Sequence, residues 1–240
     1  MKQLRLLVSK DYLLYQVANA KSVLEEKELI LDLEQEQHSF LTPITELLKN
    51  SFDKIEVYSA FNHFTMMPEG FSEHELGLDL LSLNASIEKD KEELMLAVNK
   101  KHAVQFYYTF PTDLYQILKQ SKQSNQSTKF NFSGEKFLSK ITVKKPKEVH
   151  INLYQNQCEF FAFANKKVVL YNHLDLQSEV DFLYFILFTL SKIDFSLRET
   201  RFHIYGETAQ NETFISELNK FASHLKIPFD NLPKKNFILN

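Results

Sequence analysis

Two stretches of the chain, one near each end, carry the same succession of strands and turns. The first has strand-like segments at Leu4–Val8, Tyr12–Ala18 and Ser22–Leu31, separated by turns at Ser9-Lys10-Asp11 and Asn19-Ala20-Lys21. The second has Val149–Tyr154, Cys158–Ala164 and Lys167–Tyr171, separated by turns at Gln155-Asn156-Gln157 and Asn165-Lys166. A helix and a further strand follow each meander, and Ala18-Asn19-Ala20-Lys21 and Ala164-Asn165-Lys166-Lys167 fall at the same place in both. Three antiparallel strands need something packed on their apolar face, so each stretch is expected to close over its own helix as an α/β unit with a mixed sheet. The expected division is 1–145 for the first half, with an inserted loop and hairpin, and 146–240 for the second, with the boundary at Lys144-Lys145-Pro146-Lys147.

A length of 240 residues suits two cores. With 22 Phe and only 4 Gly, the chain can build a large aromatic interior but has few places where backbone can come very close to a ligand. The formal charge of −3 gives no global attraction to nucleic acid or acidic lipid. Lys100-Lys101, Lys144-Lys145-Lys147 and Lys234-Lys235 stand beside turns and are read as solubilising, so no nucleic acid is expected. The lone Cys158 cannot form an intramolecular disulfide, and the N-terminus shows no apolar block of the signal-peptide kind. The strongest apolar run, Phe182 to Leu190, falls far short of the roughly 20 residues a bilayer span needs. The expectation is a cytoplasmic protein without membrane insertion.

Thr42 and Pro43 read as the cap and first position of a helix whose apolar face carries Ile44, Leu47 and Leu48, with a strand at Ile55–Tyr58 after it. Leu94–Asn99 and His102–Phe110 alternate as a hairpin turning at Lys100-Lys101, and Leu114, Ile117 and Leu118 follow at helical spacing. Ser121 to Thr128 has no apolar residue and reads as exposed loop. Gln177 to Phe195 is apolar almost all round, which predicts a helix covered on more than one side. Phe64-Thr65-Met66-Met67-Pro68 to Phe71 lacks clean periodicity. Its Phe64, Met66, Met67 and Phe71 are candidates for an adaptable partner-binding surface if exposed, against the alternative that they fill a seam.

Three strands in a meander, a helix and a strand resemble the opening of the ribonuclease H-like fold, and two such copies resemble the actin-like ATPase architecture. More narrowly, Phe64–Pro68, Val98-Asn99-Lys100 and the run from Tyr171-Asn172-His173 to Val180-Asp181-Phe182-Leu183-Tyr184-Phe185 resemble an uncharacterised bacterial domain-of-unknown-function family with that fold. Cell-division and pilus-assembly actin homologues are more distant likenesses. The resemblance implies two tandem ribonuclease H-like halves with a cleft between them. It also implies a phosphate-binding hairpin in each half, with an Asp–x–Gly core that holds metal and lets backbone amides reach phosphate. Here Asn152 stands for the aspartate and Tyr154 for the glycine, Val8-Ser9-Lys10-Asp11-Tyr12 has no glycine, and the adenosine motif is reduced to Tyr205-Gly206-Glu207. Asn152, Tyr154, Gly206 and Glu207 are therefore degenerate nucleotide-site positions.

Other chemistry finds little support. The eight His have no i, i+4 pair, and His63 with His74, Glu73 and Glu75 has no enforced ligand spacing, so no metal site is expected. Cys158 with His173 or His203 reads as a buried thiol rather than a nucleophile and base. The acidic runs Glu25-Glu26 and Glu92-Glu93 read as solvated, and no nucleophile elbow, Walker loop or dinucleotide fingerprint is present. The expected function is a non-catalytic scaffold or adaptor, a pseudo-ATPase with no cofactor, holding a protein partner or self-associating. The alternative is a weak ATP-binding switch.

Overall fold

The computed structural model describes residues 1–30, 41–70, 74–83, 85–121, 126–154, 157–176, 178–208, 211–228 and 236–239. The chain divides into two compact units between Lys136 and Phe137, with Leu239 grouped with the first.

In the first unit, β1 (Gln3–Val8), β2 (Tyr12–Ala18) and β3 (Val23–Ile30) form an antiparallel meander. Helix α1 (Leu41–Leu48) leads to β4 (Lys54–Ser59), which runs parallel to β1. An insertion follows: β5 (Phe64–Pro68), α2 (His74–Ser82), β6 (Glu92–Asn99) and β7 (Val104–Pro111), its strands forming a separate antiparallel sheet in the order β5-β7-β6. Helix α3 (Thr112–Gln120) returns the chain to β8 (Ser127–Phe132), parallel to β4, for a final order of β3-β2-β1-β4-β8. Alternation along β1 sends Leu4, Leu6 and Val8 into a core with Ile44 of α1 and Leu114 and Leu118 of α3. The edge strand β3 carries Glu25, Glu26, Lys27 and Glu28 exposed, charges that discourage pairing with another chain.

Helix α4 (Ser133–Lys140) carries the chain into the second unit, where the topology repeats. The meander is β9 (Lys147–Tyr154), β10 (Gln157–Ala164) and β11 (Lys167–Asp175). Helix α5 (Glu179–Lys192) leads to β12 (Arg201–Gly206), and α6 (Glu212–Asn219) to the short β13 (His224–Lys226). The order is β11-β10-β9-β12-β13, with β12 parallel to both β9 and β13. Ser178 caps α5 by accepting from the Asp181 amide at 3.2 Å. Val149, Ile151 and Leu153 of β9, Cys158 and Phe160 of β10, and Phe182, Ile186 and Leu190 of α5 share one core. Among the described residues, no helix is long and apolar enough to cross a membrane.

The structure differs from the sequence expectations in three places. The Met66-Met67 segment is strand β5, because Phe64 to Pro68 pair residue for residue with Tyr108 to Val104 and a neighbouring strand supplies order that its own pattern lacks. The polar run ending at Thr128 is not all loop: Ser127 and Thr128 begin β8, pairing with Lys54 and Ile55, while Lys122 to Asn125 lie outside the described residues. Backbone pairing needs no apolar side chain, and the buried anchor of β8 comes later, at Phe132. Helix α1 starts at Leu41, which puts Thr42 and Pro43 inside its first turn, where a missing amide proton costs nothing. Helix α5 is covered by the sheet and by α6, where Phe182 stacks on Phe214, but one face is open: Val180, Tyr184, Phe185 and Phe188 are exposed, and Tyr184 stacks on Phe188 at 5.4 Å between ring centroids.

Candidate functional site

The side of the second sheet facing away from α5 is a buried polar and aromatic layer. Because side chains alternate, Glu148, His150, Asn152 and Tyr154 of β9 share that face, and all four are essentially inaccessible. Asn152 donates from Nδ2 to Glu159 Oε1 at 2.8 Å, Tyr171 donates its hydroxyl to Glu159 Oε2 at 2.9 Å, and the Tyr154 hydroxyl meets His173 Nε2 at 3.1 Å. Asn152 and Tyr154, two of the positions expected from the sequence to form a degenerate nucleotide site, are thus buried and hydrogen-bonded to residues of the same unit. The other two lie beside them, at the end of β12. Gly206 pairs with Leu153 at φ +84°, and a Cβ there would stand 2.1 Å from Leu153 O and 2.6 Å from Asn152 Oδ1. The Glu207 amide donates to Leu153 O at 2.8 Å, and Asn211 Nδ2 donates to Glu207 O. Strand contact and the positive φ both call for glycine here.

The matching hairpin of the first unit is closed on itself. The Ser9 amide donates to Tyr12 O at 2.9 Å, the Asp11 amide points to Ser9 Oγ at 3.4 Å, and Ser9 Oγ donates to Asp11 Oδ1 at 2.7 Å. Both amides are occupied, and a carboxylate sits in the turn where a phosphate would need positive potential.

The opposite end of the second sheet holds different chemistry. Glu148, at the start of β9, pairs in register with Arg201, at the start of β12. Its Oε1 accepts from the amides of Lys144 (3.0 Å) and Lys145 (2.6 Å), and its Oε2 meets His150 Nε2 at 2.9 Å. Burial alone would raise this carboxyl, but the hydrogen bonds from His150 and the two amides hold it below the ordinary carboxylate value. With Glu148 ionised, His150 Nε2 donates to it, and Nδ1 meets the Tyr205 hydroxyl at 2.9 Å. His203 stacks on His150 at 4.6 Å and 10°, its Nε2 being 3.7 Å from Glu148 Oε2, too far for a hydrogen bond. Burial keeps His203 below its usual value; Glu148 opposes this, and Lys226, Arg201 and Lys144 reinforce it.

These groups border a cavity of about 540 Å³ lined by Lys144, Lys145, Arg201, Lys226, His203 and Glu148. Tyr205, Phe237, Ile227 and Pro228 add apolar wall, and Lys140, which reaches the carbonyl of Phe237, completes the basic rim. Glu148, His150 and His203 bring three metal-ligand atoms within 4.8 Å of one another. Both His150 nitrogens are already engaged, however, and the surrounding cations oppose a divalent ion.

Sequence reasoning missed this cluster by searching for histidines at helical spacing. The usable signal was strand spacing: Glu148-x-His150 and Arg201-x-His203-x-Tyr205 each put alternate residues on one sheet face. The lysines at 144 and 145, read as solubilising, line the cavity, while Lys234 and Lys235 lie outside the described residues. Cys158 packs in the α5 core, on the opposite sheet face from His173 and His203, and burial, with Glu159 nearby, pushes its thiol well up. His63 meets Glu92 at 3.1 Å; Glu73 and the side chains of His74 and Glu75 lie outside the described residues. Phe64 packs on Phe132 at 5.3 Å, Met66 and Met67 are half-buried, and Phe71 lies outside the described residues.

Solved structures share this architecture. A Bacteroides thetaiotaomicron protein with an actin-like ATPase fold and unknown function is 20% identical, with a TM-score of 0.83 over 99% of this chain and 93% of that one. The PilM-PilN type IV pilus biogenesis complex matches at 10% identity, with a TM-score of 0.55 over 95% of this chain and 88% of that one. At these identities the likeness establishes the fold: the chain has the actin-like ATPase fold. No curated protein matches its sequence. Residues 1–225 match the family described as "Protein of unknown function (DUF3822)", and the chain belongs to that family.

Proposed function

We propose that this protein is a non-catalytic scaffold or adaptor, an actin-like fold that has lost the ATPase motifs and works by holding a protein partner. The observation that carries the reading is the fate of the hairpin positions. Asn152 and Tyr154 are buried, with Asn152 Nδ2 bonded to Glu159 and the Tyr154 hydroxyl to His173, so an amide replaces the metal-holding carboxylate and a phenol side chain stands where backbone would need to come close to a phosphate. The first hairpin spends the amides of Ser9 and Asp11 on itself. Gly206 has a complete structural explanation in the backbone of Leu153.

Exposed apolar surface supports the adaptor half of the proposal. Val180, Tyr184 and Phe188 recur at i, i+4 and i+8 along α5, a ladder suited to the apolar side chains of another protein. The edge strand β5, with Phe64, Met66 and Met67, is a second, less exposed surface. The PilM-PilN complex is an instance of this fold at work in a protein assembly.

The test is the thermal unfolding midpoint over a titration of Mg-ATP and Mg-ADP, with Mg alone as control, in wild type and in Arg201→Gln/Lys226→Gln. The variant is needed because a polyphosphate could also lodge among the cations of the second unit. No saturable shift in the variant is the expected result. A shift that survives in the variant places nucleotide at the hairpin positions and overturns the loss of nucleotide binding in favour of the ATP-responsive switch.

A further inference from the structure

We propose that the basic cavity of the second unit is a binding site for a small organic phosphate. The cations converge without being neutralised: no carboxylate among the described residues lies within 4 Å of the charged groups of Lys144, Lys145, Arg201 or Lys226. The one acid in the lining, Glu148, is directed inward. Its oxygens accept from two backbone amides and His150, so it fastens the 144–145 segment to the sheet and orders the imidazole. Four cations, Lys144, Lys145, Arg201 and Lys226, face one carboxylate, a net of +3. Lys144, Lys145 and Lys226 are exposed, so the cavity mouth is open and its positive potential draws in an anion, one of more than one charge most strongly.

Two further features narrow the ligand class. His203 carries its Nε2 buried and without a hydrogen-bond partner among the described residues, next to Arg201 and Lys226. A bound phosphate oxygen accepts from that nitrogen once it carries a proton, and the Arg201 guanidinium offers a planar fork matched to phosphate. The cavity, at about 540 Å³, far exceeds the space needed for a bare phosphate and lies within the range of small-molecule sites. Tyr205, Phe237, Ile227 and Pro228 give its apolar wall, against which the organic part rests. A divalent cation is disfavoured by the same potential that attracts an anion. The site lies at the start of β9 and β12, whereas the degenerate nucleotide positions lie at their ends, so it is separate from the nucleotide site of the fold.

The experiment uses the full chain with inorganic phosphate, pyrophosphate and phenyl phosphate as probes at constant ionic strength, sodium sulfate serving as the non-specific control. Unfolding midpoints and the imidazole resonances of His203 are read together. Saturable stabilisation by pyrophosphate and phenyl phosphate is expected, with a rise in the His203 titration midpoint as the anion favours the imidazolium. Arg201→Gln/Lys226→Gln weakens binding roughly tenfold or more, while Lys21→Gln/Lys27→Gln, in the first unit, leaves it unchanged. The unliganded midpoint of each variant checks that it folds. The proposal is overturned by no saturable shift up to roughly 10 mM probe, by equal stabilisation from sulfate, or by affinity that is the same in both double variants.

Discussion

The two sheets have the same topology and place an acid among bases on the same face, yet they resolve that charge in opposite ways. In the first unit, Glu56 of β4 stands across from Arg5 of β1 at 3.6 Å and meets Lys54 at 2.6 Å, while Gln3 donates to its second oxygen and Arg5 donates to Gln16. Acid and bases satisfy one another. In the second unit, Glu148 is satisfied by amides and a histidine, and Arg201, its register partner, is left with Lys144 and Lys226 around a cavity. A repeat can thus keep its backbone pattern and core while one copy uses a sheet face for internal pairing and the other turns the equivalent face into a pocket. Both acids stand across from an arginine, so the difference lies in what else reaches the carboxylate: Lys54 and Gln3 meet the oxygens of Glu56, whereas two backbone amides and His150 take those of Glu148 and leave Arg201 aside.

The largest effect should come from the end of the second sheet. Gly206→Ala sets a Cβ against Leu153 O at a φ of +84°, and its cost is expected at roughly 3 kcal/mol or more by chemical denaturation. Gly70→Ala, at φ +107° with nothing within 4 Å, should cost about 1 kcal/mol from backbone strain alone. Equal costs would break the claim that Gly206 is fixed by strand contact.

The buried acids sharpen the comparison next. Glu148→Gln leaves donors facing an amide and should cost roughly 2 kcal/mol at pH 7, whereas the more exposed Glu56→Gln should cost about 0.5–1 kcal/mol. The folded value of Glu148 lies below its unfolded one, so its contribution is present above the ordinary carboxylate value of 4.5 and is lost as pH falls toward the depressed value. His203 also titrates lower when folded, so the unfolded chain takes up the extra proton first and stability begins to fall as pH drops below 6.5. Urea denaturation from pH 8 to 3.5 should show both limbs, with His203→Gln removing the upper and Glu148→Gln the lower. An unchanged profile in His203→Gln would contradict its buried, neutral state.

The smallest effect on stability belongs to α5. Tyr184→Ser/Phe188→Ser alters exposed side chains and should move the unfolding free energy by only about 0.5 kcal/mol. The same pair should abolish binding to a partner once one is identified, and Met67→Asp on β5 is the competing test. Loss of binding in Met67→Asp alone would move the docking surface from the second unit to the first.

Much of the architecture was legible because it rests on periodicity. The two meanders, the β6–β7 hairpin at Lys100-Lys101 and the α5 helix follow from alternation or helical spacing within short windows. Strands β5 and β8 were not legible, since Met66-Met67 and Ser127-Thr128 become strand only through neighbours distant in sequence. The exposed stripe on α5 was hidden for a related reason. A helix apolar all round does not reveal which of its faces goes uncovered.

The sequence by itself determined the tandem α/β repeat and the absence of glycine from both hairpins, because backbone propensity and side-chain size are local properties. Only the tertiary structure decided that Asn152 and Tyr154 turn into the interior, that Gly206 answers to Leu153, and that Lys144, Arg201, His203 and Lys226 surround one space. Those outcomes depend on strand register, which pairs residue 148 with 201 and 153 with 206, and register is fixed by the packing of whole sheets rather than by any short segment.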